Sequence, residues 1–397
     1  MRIGRTLPPA AAPFSLKEVL SGLAALFTGE SARERFRAEL REYYRVPHVF
    51  LLSSGKAALA VILQALKELA PERDEVLVPA YTCYSVPAAV TRAGLRVRSC
   101  DIDPRTLDFD WGQVEEALAG GEVLAAVSTH LFGLPADVER LKGLAARHGV
   151  AVIEDAAQAM GGELDGRKLG TLGDVALFSL GRGKPLSTVS GGIILTGNDK
   201  LGEALSTLVK KLPGEGWSDG VLAFCYALAL LILLRPCFFW LPRALSFLKL
   251  GETVFDPSFD LKRLGSFQAG VAQGWQERLV RLREARLDRA GLLEKAGFAV
   301  PPALKGARPN LIRFPVLVED AVARQRLLKE SEEQGLGLSA VYPEAVSGIA
   351  QLKGRATGGP APRAEQVARS LVTLPVHPYV TKRDVELIAG LFRDAST

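Results

Sequence analysis

The N-terminal part of the chain carries two hydrophobic patterns of helical spacing. In the first, apolar residues recur every three or four positions, at Leu16, Val19, Leu20, Leu23 and Phe27. This spacing predicts a helix with one buried face, and Gly29 is a suitable residue to end it. Ser31 and Glu34 have the spacing of a capping box, so we expect a second helix from there to about Tyr44.

Short apolar runs alternate with helical patterns between about residues 45 and 200. Helical segments, among them GKAALAVILQALKELA, 86–93 and ADVERLKGLAARHG, separate the runs HVFLL, EVLVP, RVRSC, AAVST and VAVIE. Strands that are buried on both faces are apolar throughout, as these runs are. The alternation therefore predicts an α/β fold in which helices cover both faces of a central, mostly parallel sheet. In such sheets ligands bind at the carboxyl ends of the strands.

The pattern changes after residue 199. A strongly apolar segment, 221–248, precedes a long amphipathic pattern from about Phe267 to Lys295 that predicts one helix. NLIRFPVLV then begins a smaller unit that contains helices over 321–334 and 382–392. We therefore divide the chain into three parts: an arm held extended by its prolines (1–14), a large domain (15–275) and a small C-terminal α+β domain (276–397).

The composition is that of a globular protein, since 48% of the 397 residues are hydrophobic and 23% are charged. The net charge of +5 comes without a basic run, which argues against nucleic acid as a partner. The four cysteines are too widely spaced for a metal-binding motif, and we expect no metal and a reducing, cytoplasmic environment. The N-terminal residues lack the apolar core of a signal peptide.

One lysine, Lys184, lies in the glycine-rich stretch FSLGRGKPLSTVSGGIILT. The stretch is not a P-loop, because Phe178 stands where the first glycine is needed and Pro185 follows the lysine. It also lacks the last glycine of a dinucleotide-binding motif. Small neighbours allow a ligand to come close to the backbone, and a lysine so placed can form a Schiff base with a carbonyl compound.

A carboxylate follows the buried strand in VAVIEDAAQAMGG. Asp155 and Gln158 have capping-box spacing, so a helix cap is one interpretation. In the other, the Asp155 carboxylate pairs with the protonated ring nitrogen of pyridoxal phosphate, which needs such a partner to act as an electron sink. Both interpretations stay open on spacing alone.

A third segment, LLSSGKAALAVIL, has the pattern of a strand, a small polar turn and a helix. Ser53 or Ser54 can cap this helix in the ordinary way. Alternatively, a phosphate binds the free N–H groups of Gly55 and Lys56 at the positive end of the helix dipole. A phosphate turn, an aspartate after a buried strand and a lysine in a glycine-rich turn then follow one another along the chain.

These segments together resemble the DegT/DnrJ/StrS family of pyridoxal-phosphate sugar aminotransferases, which have the fold of aspartate aminotransferase, fold type I. The resemblance covers about residues 45–200 and, more weakly, about 263 to 397. It is carried by SSGKAAL, STHLFGLPADVERL, VIEDAAQAMGG, LFSLGRGK, SGGIILT and LVTLPVHPYVTKRDVELI. It implies a homodimer whose active site is shared between the subunits.

The resemblance also implies roles for individual residues. Lys184 would form the Schiff base and move the proton, and Asp155 would pair with the ring nitrogen. The implied cofactor-binding residues are Ser54, Gly55, Lys56, Cys83, Tyr84, Asp155, Gln158, Ser179 and Lys184. Within this set, Ser179, Gly55 and Lys56 would hold the phosphate. The implied substrate contacts are His130, Arg182 and Tyr342.

The sequence departs from the family's pattern in three places. Cys83 stands at the position of the aromatic residue that stacks on the cofactor ring, although Tyr81 or Tyr84 can take that role. Leu261 replaces an asparagine two positions before Arg263, which in the family gives a phosphate contact from the partner subunit. The lysine lies in GRGKP instead of a bulkier PTKN.

The retained lysine favours transamination, because that reaction needs a base to remove and return a proton at the substrate carbon. By analogy with the family, we expect an amino acid donor such as glutamate and a keto-sugar or a related, lipid-linked ketone as acceptor. One alternative is a pyridoxal-phosphate dehydratase or lyase acting on a sugar. Another is a non-catalytic, membrane-attached binding protein on the same scaffold.

The family pattern does not account for the apolar segment 221–248. Val221 to Leu234 is 14 residues without a charge, roughly 21 Å as a helix, whereas a membrane span needs about 20 residues. We therefore expect a helical hairpin in one leaflet, with CFFW at the interface. The side chains expected to reach lipid phosphates are Lys210, Lys211, Arg235, Arg243 and Lys249. The alternatives are a buried dimer contact and a lid over the active site.

Overall fold

The computed structural model describes residues 3–244, 254–354 and 356–395. The predictions for 245–248 and for Lys249 lie outside the described residues. The strands are His48–Leu52 (β1), Glu75–Pro79 (β2), Arg96–Cys100 (β3), Val123–Thr129 (β4), Ala151–Asp155 (β5), Glu163–Leu164 (β6), Arg167–Lys168 (β7), Val175–Ser179 (β8), Gly192–Thr196 (β9), Ala307–Arg308 (β10), Arg313–Leu317 (β11), Ala356–Thr357 (β12) and Leu371–Pro375 (β13).

Within these residues, eight strands form one sheet in the order β1-β9-β8-β5-β4-β2-β3-β12. The pairs from β8 through β5, β4, β2 and β3 to β12 are parallel. The pairs that join β9 to β8 and to β1 are antiparallel. The predicted mostly parallel sheet is therefore confirmed, and all five runs read as strands lie in it.

Helices connect the strands and cover the sheet. They are Leu16–Thr28 (α1), Glu30–Tyr44 (α2), Gly55–Leu69 (α3), Ser85–Arg92 (α4), Trp111–Ala119 (α5), Val138–Ala146 (α6), Asp199–Lys211 (α7), Trp217–Leu233 (α8), Trp240–Ala244 (α9), Ser266–Val271 (α10), Trp275–Lys295 (α11), Ala321–Gln334 (α12), Pro362–Ser370 (α13) and Lys382–Ala395 (α14). Buried apolar side chains form a core on each face of the sheet.

Two helix predictions were wrong in their boundaries. α2 begins two residues earlier than a Ser31 cap implies, because its N-cap is Gly29. The capping box lies instead at the start of α1, where the Glu18 side chain accepts from the Ser15 N–H at 2.7 Å. The long helix expected from Phe267 is divided into α10 and α11, because Gly274 has a φ of +69° that breaks the helical path.

A third core surrounds the two-stranded antiparallel sheet of β11 and β13 and includes α14. The C-terminal third does not pack only there. β12 pairs with β3 in the large sheet, and apolar residues from 346 to 371 belong to the core on one face of that sheet. The division of the chain at residue 275 therefore stays a prediction, because part of the C-terminal third packs on the large sheet.

The N-terminal arm is packed along most of its length. Arg5 makes two hydrogen bonds of 2.8 Å to the Asp384 carboxylate. Leu7 is fully buried in the third core, and the His377 ring donates to the carbonyl oxygen of Pro8 at 2.7 Å. These contacts fix the arm against the C-terminal third and bring its prolines to the cavity described below.

The apolar segment forms α8, a break at Arg235 and Pro236, and α9. One face of α8 is buried against α1 and α10, with the rings of Phe224 and Phe267 in edge contact at 6.2 Å. The opposite face is exposed. No helix among the described residues is long and apolar enough to cross a membrane.

Candidate active site

Three parallel strands and one helix bring the predicted residues together. β5 ends at Asp155, β8 ends at Ser179, and His130 directly follows β4. The His130 N–H donates to the carbonyl oxygen of Asp155 at 3.1 Å, which joins the ends of β4 and β5. The helix that begins at Gly55 lies against Ser179 at the end of β8, so the site lies at the carboxyl edge of the sheet.

The start of α3 lies against Ser179. A Cβ placed on Gly55 would come within 2.8 Å of the Ser179 Cβ and 3.2 Å of its Oγ. Glycine is therefore required at 55, and the serine hydroxyl faces the first turn of the helix. The Ser54 side chain caps α3 by accepting from the Ala57 N–H at 3.1 Å. A helix N-terminus with a neighbouring hydroxyl can hold a phosphate.

Lys56 contributes to this turn through its backbone. Its side chain points away from Ser179 toward the loop before α10. There the ammonium group lies 3.4 Å from the Asp256 carboxylate and 4.4 Å from the centre of the Phe259 ring. The predicted phosphate contact from the Lys56 N–H is consistent with this orientation, since it does not need the side chain.

Asp155 is a buried carboxylate at the end of β5. One of its oxygens accepts from the Ala157 N–H at 3.0 Å. Burial raises the pKa of the Asp155 carboxyl above its ordinary value, and the positive charge of Lys184 only partly offsets this. A carboxylate held in this way gains stability when a cationic group is placed beside it.

The backbone around Lys184 is fixed from beneath by a buried guanidinium. Arg286, on α11, donates to the carbonyl oxygens of Pro185 at 2.9 Å, Lys184 at 3.2 Å and Ala11 at 3.5 Å. Burial without an acidic partner lowers the pKa of Arg286 to about 9. Arg286 thereby joins the lysine turn to the N-terminal arm.

Gln158 and Tyr342 form a buried pair. The Gln158 amide donates to the Tyr342 hydroxyl at 3.1 Å, and its carbonyl oxygen accepts from the Phe132 N–H at 3.2 Å. The Tyr342 ring also stacks with the Phe132 ring, with centroids 6.4 Å apart. The loop that carries Tyr342 is thus joined to the region between β4 and β5.

His130 lies deeper than a substrate contact would. Its Nε2 lies 2.8 Å from the Glu154 carboxylate, and its Nδ1 accepts from the Ala136 N–H at 2.9 Å. Both ring nitrogens are taken and the side chain is fully buried, so the prediction that His130 contacts substrate is not supported. Burial opposes charge on Glu154, but hydrogen bonds from His130, Gly170 and Gly173 prevail and lower its pKa.

The three candidates for the stacking position differ in exposure. Tyr81 is buried with its ring edge against Tyr342 at 5.5 Å, and Tyr84 is buried with its hydroxyl 3.4 Å from the Glu344 carbonyl oxygen. Cys83 is partly exposed, and its sulfur accepts from the Ser85 hydroxyl at 3.0 Å. Which of the three faces the cofactor stays a prediction.

A cavity of about 870 Å³ opens beside Lys184. It is lined on one side by the lysine turn, Gln158 and Tyr342. Its other walls come from the arm, the apolar segment, α12 and the loop 338–342. Arg182, predicted as a substrate contact, lines the cavity and lies 5.7 Å above the Tyr226 ring of α8.

Sequence reasoning missed three contributors to this site. Arg313, on β11, lines the cavity and donates to the Thr373 hydroxyl at 3.3 Å. Arg286 and the arm were missed because their contacts join positions far apart in the sequence. One signal was available, since Arg278 and Arg286 lie eight residues apart and so fall on the same buried face of α11.

Arg243 was predicted to reach lipid phosphates, and the structure contradicts this. Its guanidinium lies 3.4 Å from the Glu332 carboxylate of α12 and lines the cavity. The ion pair turns its side chain toward the protein. Lys210, Lys211 and Arg235 are exposed, as a contact with lipid would need.

The model of the DegT/DnrJ/EryC1/StrS aminotransferase family matches residues 15–214 and 262–393. The chain belongs to this family. The resemblance carried by the sequence motifs is thereby confirmed, and so is the fold class, since the structural neighbours are aminotransferases of the same family. The match leaves out residues 215–261, which contain the whole of the apolar segment.

Individual family members match at moderate identity. L-glutamine:2-deoxy-scyllo-inosose aminotransferase of Streptomyces kanamyceticus is 38% identical over 45% of this chain, and the match spans only 41% of that relative. dTDP-3-amino-3,4,6-trideoxy-alpha-D-glucose transaminase of Streptomyces venezuelae is 29% identical over 88% of this chain and 83% of its own length. DesV of S. venezuelae, crystallised with a ketimine intermediate, has a TM-score of 0.72 and 26% identity over 92% of this chain and 89% of DesV.

The residues at the strand ends fit pyridoxal phosphate. The close approach of Gly55 and Ser179 forms a cradle for a phosphate that a Cβ at 55 would fill. The buried Asp155 carboxylate suits a protonated ring nitrogen. Within 3–244, 254–354 and 356–395, no group of His, Cys, Asp or Glu side chains is arranged to hold a metal ion.

Proposed function

We propose that the protein is a pyridoxal-phosphate-dependent aminotransferase that transfers an amino group from an amino acid to a keto-sugar. The observation that carries the proposal is that Lys184 lines the cavity with Gln158 and Tyr342, in a member of this family. The buried Asp155 carboxylate, whose pKa responds to the charge of Lys184, and the close contact of Gly55 with Ser179 lie at the same edge of the sheet. The names of the relatives add a keto-sugar or keto-cyclitol acceptor and, in one case, glutamine as donor.

Pyridoxal phosphate, when bound, supplies an electron sink for the carbon whose C–H bond is broken. The other steps belong to residues of this chain. The Lys184 amine would take the proton from the substrate carbon and hold it for return, which requires a mobile side chain on a fixed backbone. Arg286 fixes that backbone by its bonds to the Lys184 and Pro185 carbonyls.

Asp155 and the Gln158–Tyr342 pair hold the reacting groups in place. The Asp155 carboxylate keeps the ring nitrogen protonated and so maintains the electron sink. The first turn of α3 and Ser179 anchor the phosphate, while Tyr342 and Gln158 face the cavity on the substrate side. Positioning of this kind lowers the barrier because the reacting atoms start close together.

The test uses the visible absorption band of the bound cofactor. Purified wild type should be yellow, and glutamate or glutamine should bleach the band as the amino group moves to the cofactor. Lys184→Ala should lose at least about 1,000-fold of the bleaching rate, because the base is absent. Lys329→Ala, which removes another cavity lysine, should bleach nearly normally. A wild type that stays colourless with added pyridoxal phosphate would overturn the proposal.

We also propose that the exposed face of α8 contacts a membrane surface. Trp217, Leu222 and Ile232 are 65%, 71% and 55% exposed on this helix. The exposed cations Lys210 and Arg235 lie near the two ends of α8, where they complement anionic headgroups. The enzyme would then act at the inner face of the membrane, as a homodimer by the resemblance to its family.

Vesicle flotation tests this contact. Vesicles that contain an anionic lipid should carry the wild type upward, and Leu222→Asp with Ile232→Asp should abolish flotation while the cofactor band persists. Val322→Asp is the matched control, since Val322 is 75% exposed on α12. Flotation that persists in the double variant contradicts the contact. Light scattering on the same samples measures whether the protein is a dimer.

A further inference from the structure

Two residues with a strained backbone lie next to the Gln158–Tyr342 pair. Phe132 has a φ of +58° and Val341 a φ of +60°, in the left-handed region that favours glycine. For a bulky or β-branched residue this conformation is an outlier that costs stability. Such outliers persist only where neighbouring contacts fix them, and they are frequent at active sites. One is hydrogen-bonded to Gln158 and the other directly precedes Tyr342, so both act on this pair.

Phe132 reaches the cavity only through other residues. It is fully buried and does not line the cavity. Its N–H donates to the Gln158 side chain, its carbonyl oxygen accepts from the Ile312 N–H at 3.0 Å, and its ring stacks on Tyr342. These three neighbours all line the cavity. One strained residue thus supports three parts of the cavity wall.

The turn that contains Phe132 is fixed from two sides. The His130 Nδ1 accepts from the Ala136 N–H at 2.9 Å, which joins the two ends of the turn. A Cβ on Gly133, whose φ is +95°, would overlap the Asn310 carbonyl oxygen. The turn therefore packs directly against the segment before β11, and these contacts hold the strained conformation in place.

The Phe132 N–H determines which way round the Gln158 amide lies. A backbone N–H can only donate, so the amide oxygen must face it, at 3.2 Å. The amide nitrogen then donates to the Tyr342 hydroxyl at 3.1 Å. Because the hydroxyl oxygen accepts there, its own proton points elsewhere, and it has no acceptor within residues 3–244, 254–354 and 356–395. Burial raises the pKa of Tyr342 well above its ordinary value, so the hydroxyl keeps that proton.

Val341 acts on the same hydroxyl through the backbone. It lines the cavity, and its N–H donates to the Ser339 hydroxyl at 3.3 Å. Val341 and Tyr342 share a planar peptide unit, so a change of φ at Val341 would turn the backbone that carries the tyrosine.

We propose that Phe132 and Val341 are positioning residues, which orient Tyr342 so that its hydroxyl donates a hydrogen bond to a substrate oxygen in the cavity. The inference rests on the proposed function, because it takes the Lys184 cavity as the substrate site. Glycine at either position would be accommodated more easily but would leave the pair free to move. The strain therefore serves to hold one direction of hydrogen bonding, from the Phe132 N–H to the substrate.

Glycine and alanine variants separate the strain from the side chain. Phe132→Gly and Phe132→Ala both lose the ring, and Val341→Gly differs from Val341→Ala by one methyl group. In the cofactor-free protein the Gly variant at each position should melt about 1–3 °C above the Ala variant, because glycine adopts a positive φ without strain. Ala340→Gly is the matched control and should melt below wild type, since φ is not positive there. Ala variants that melt as high as the Gly variants would show no strain and would overturn the proposal.

The rate of bleaching by glutamate should change in the opposite direction. At each position the more stable Gly variant should bleach at least about threefold more slowly than the Ala variant, because the pair is no longer held. A purely structural role predicts instead that the rate follows the stability. In a Tyr342→Phe background the Gly and Ala variants should bleach at equal rates, since no hydroxyl remains to be oriented. A difference that persists in that background contradicts the proposal.

The wild type keeps this test apart from the test of the proposed function. If glutamate leaves the wild-type cofactor band unchanged, the proposed function fails, and the inference fails with it. If wild type bleaches and the Gly variants bleach as fast as the Ala variants, the positioning role alone fails. The two positions are independent versions of the test, so if one does not give folded variants the other decides.

Discussion

The Lys184 site and the apolar segment border the same cavity but are built differently. The site lies where parallel strands end. A hydrogen bond joins His130 to Glu154 of the neighbouring strand, the Ala157 N–H donates to Asp155, and Arg286 of α11 donates to the Pro185 carbonyl oxygen beside Lys184. The apolar segment packs outside the sheet, where α8 buries one face against α1 and α10, and its end is joined to the arm by a backbone hydrogen bond and to α12 by an ion pair. The family model covers the first and omits the second.

The difference separates the chemistry from the choice of substrate. A proton transfer needs atoms held within a fraction of an ångström, which a sheet edge can provide. Recognition of an acceptor needs a surface that can change without disturbing that geometry, and segments outside the sheet serve this purpose. We therefore expect substitutions at the strand ends to have the larger effects on the rate.

After Lys184→Ala, Asp155→Asn should have the largest effect on the rate. The neutral amide cannot keep the ring nitrogen protonated, so the rate of bleaching by glutamate should fall by about 100-fold or more. The amide oxygen can still accept from the Ala157 N–H, so the local backbone should not change. A rate within about threefold of wild type would contradict the assigned role.

The same variant should make the cofactor-free protein more stable. Burial raises the folded-state pKa of Asp155 above its unfolded value, so the carboxyl costs stability as pH rises through the folded pKa. Asn removes that cost. Thermal melting of the cofactor-free forms should therefore show a higher Tm for the variant at neutral pH and no difference near about pH 3, where the carboxyl is protonated in both states.

Arg286→Met tests whether the lysine turn depends on its buried support. Three carbonyl oxygens lose a charged donor, and we expect a loss of about 2–4 kcal/mol in the free energy of unfolding and about 10-fold weaker retention of the cofactor. Arg278→Met is the matched control, because Arg278 donates to the Val271 and Ser187 carbonyls instead. It should lose stability but retain the cofactor as wild type does.

Tyr342→Phe should give the smallest effect of the set. It removes the hydroxyl that accepts from the Gln158 amide but keeps the ring that packs on Phe132 and Tyr81. We expect the activation free energy to rise by about 1 kcal/mol, which lowers the bleaching rate about fivefold, with little change in Tm. Stopped-flow absorbance measures the rate, and a loss above about 100-fold would place the hydroxyl in direct contact with the reacting atoms.

The sheet and the residues at its strand ends could be predicted because local sequence patterns encode them. A buried apolar run followed by Asp155, and the Ser-Gly turn before α3, need only their own neighbours to be recognised. The partners of His130 and Arg243 could not be predicted, because no local pattern connects these residues to Glu154 and Glu332. Apolar residues on both sides of α8 also concealed which side is buried against α1 and α10.

Chemical trapping tests the central claim most directly. Reduction of the yellow holoenzyme with borohydride would fix the cofactor to its lysine, and peptide mass mapping would identify the residue. The account predicts one modified peptide, the one that contains Lys184, with Lys56 and Lys329 unmodified. Modification of Lys329 or Lys56 with Lys184 free would contradict the assignment on which the catalytic site depends.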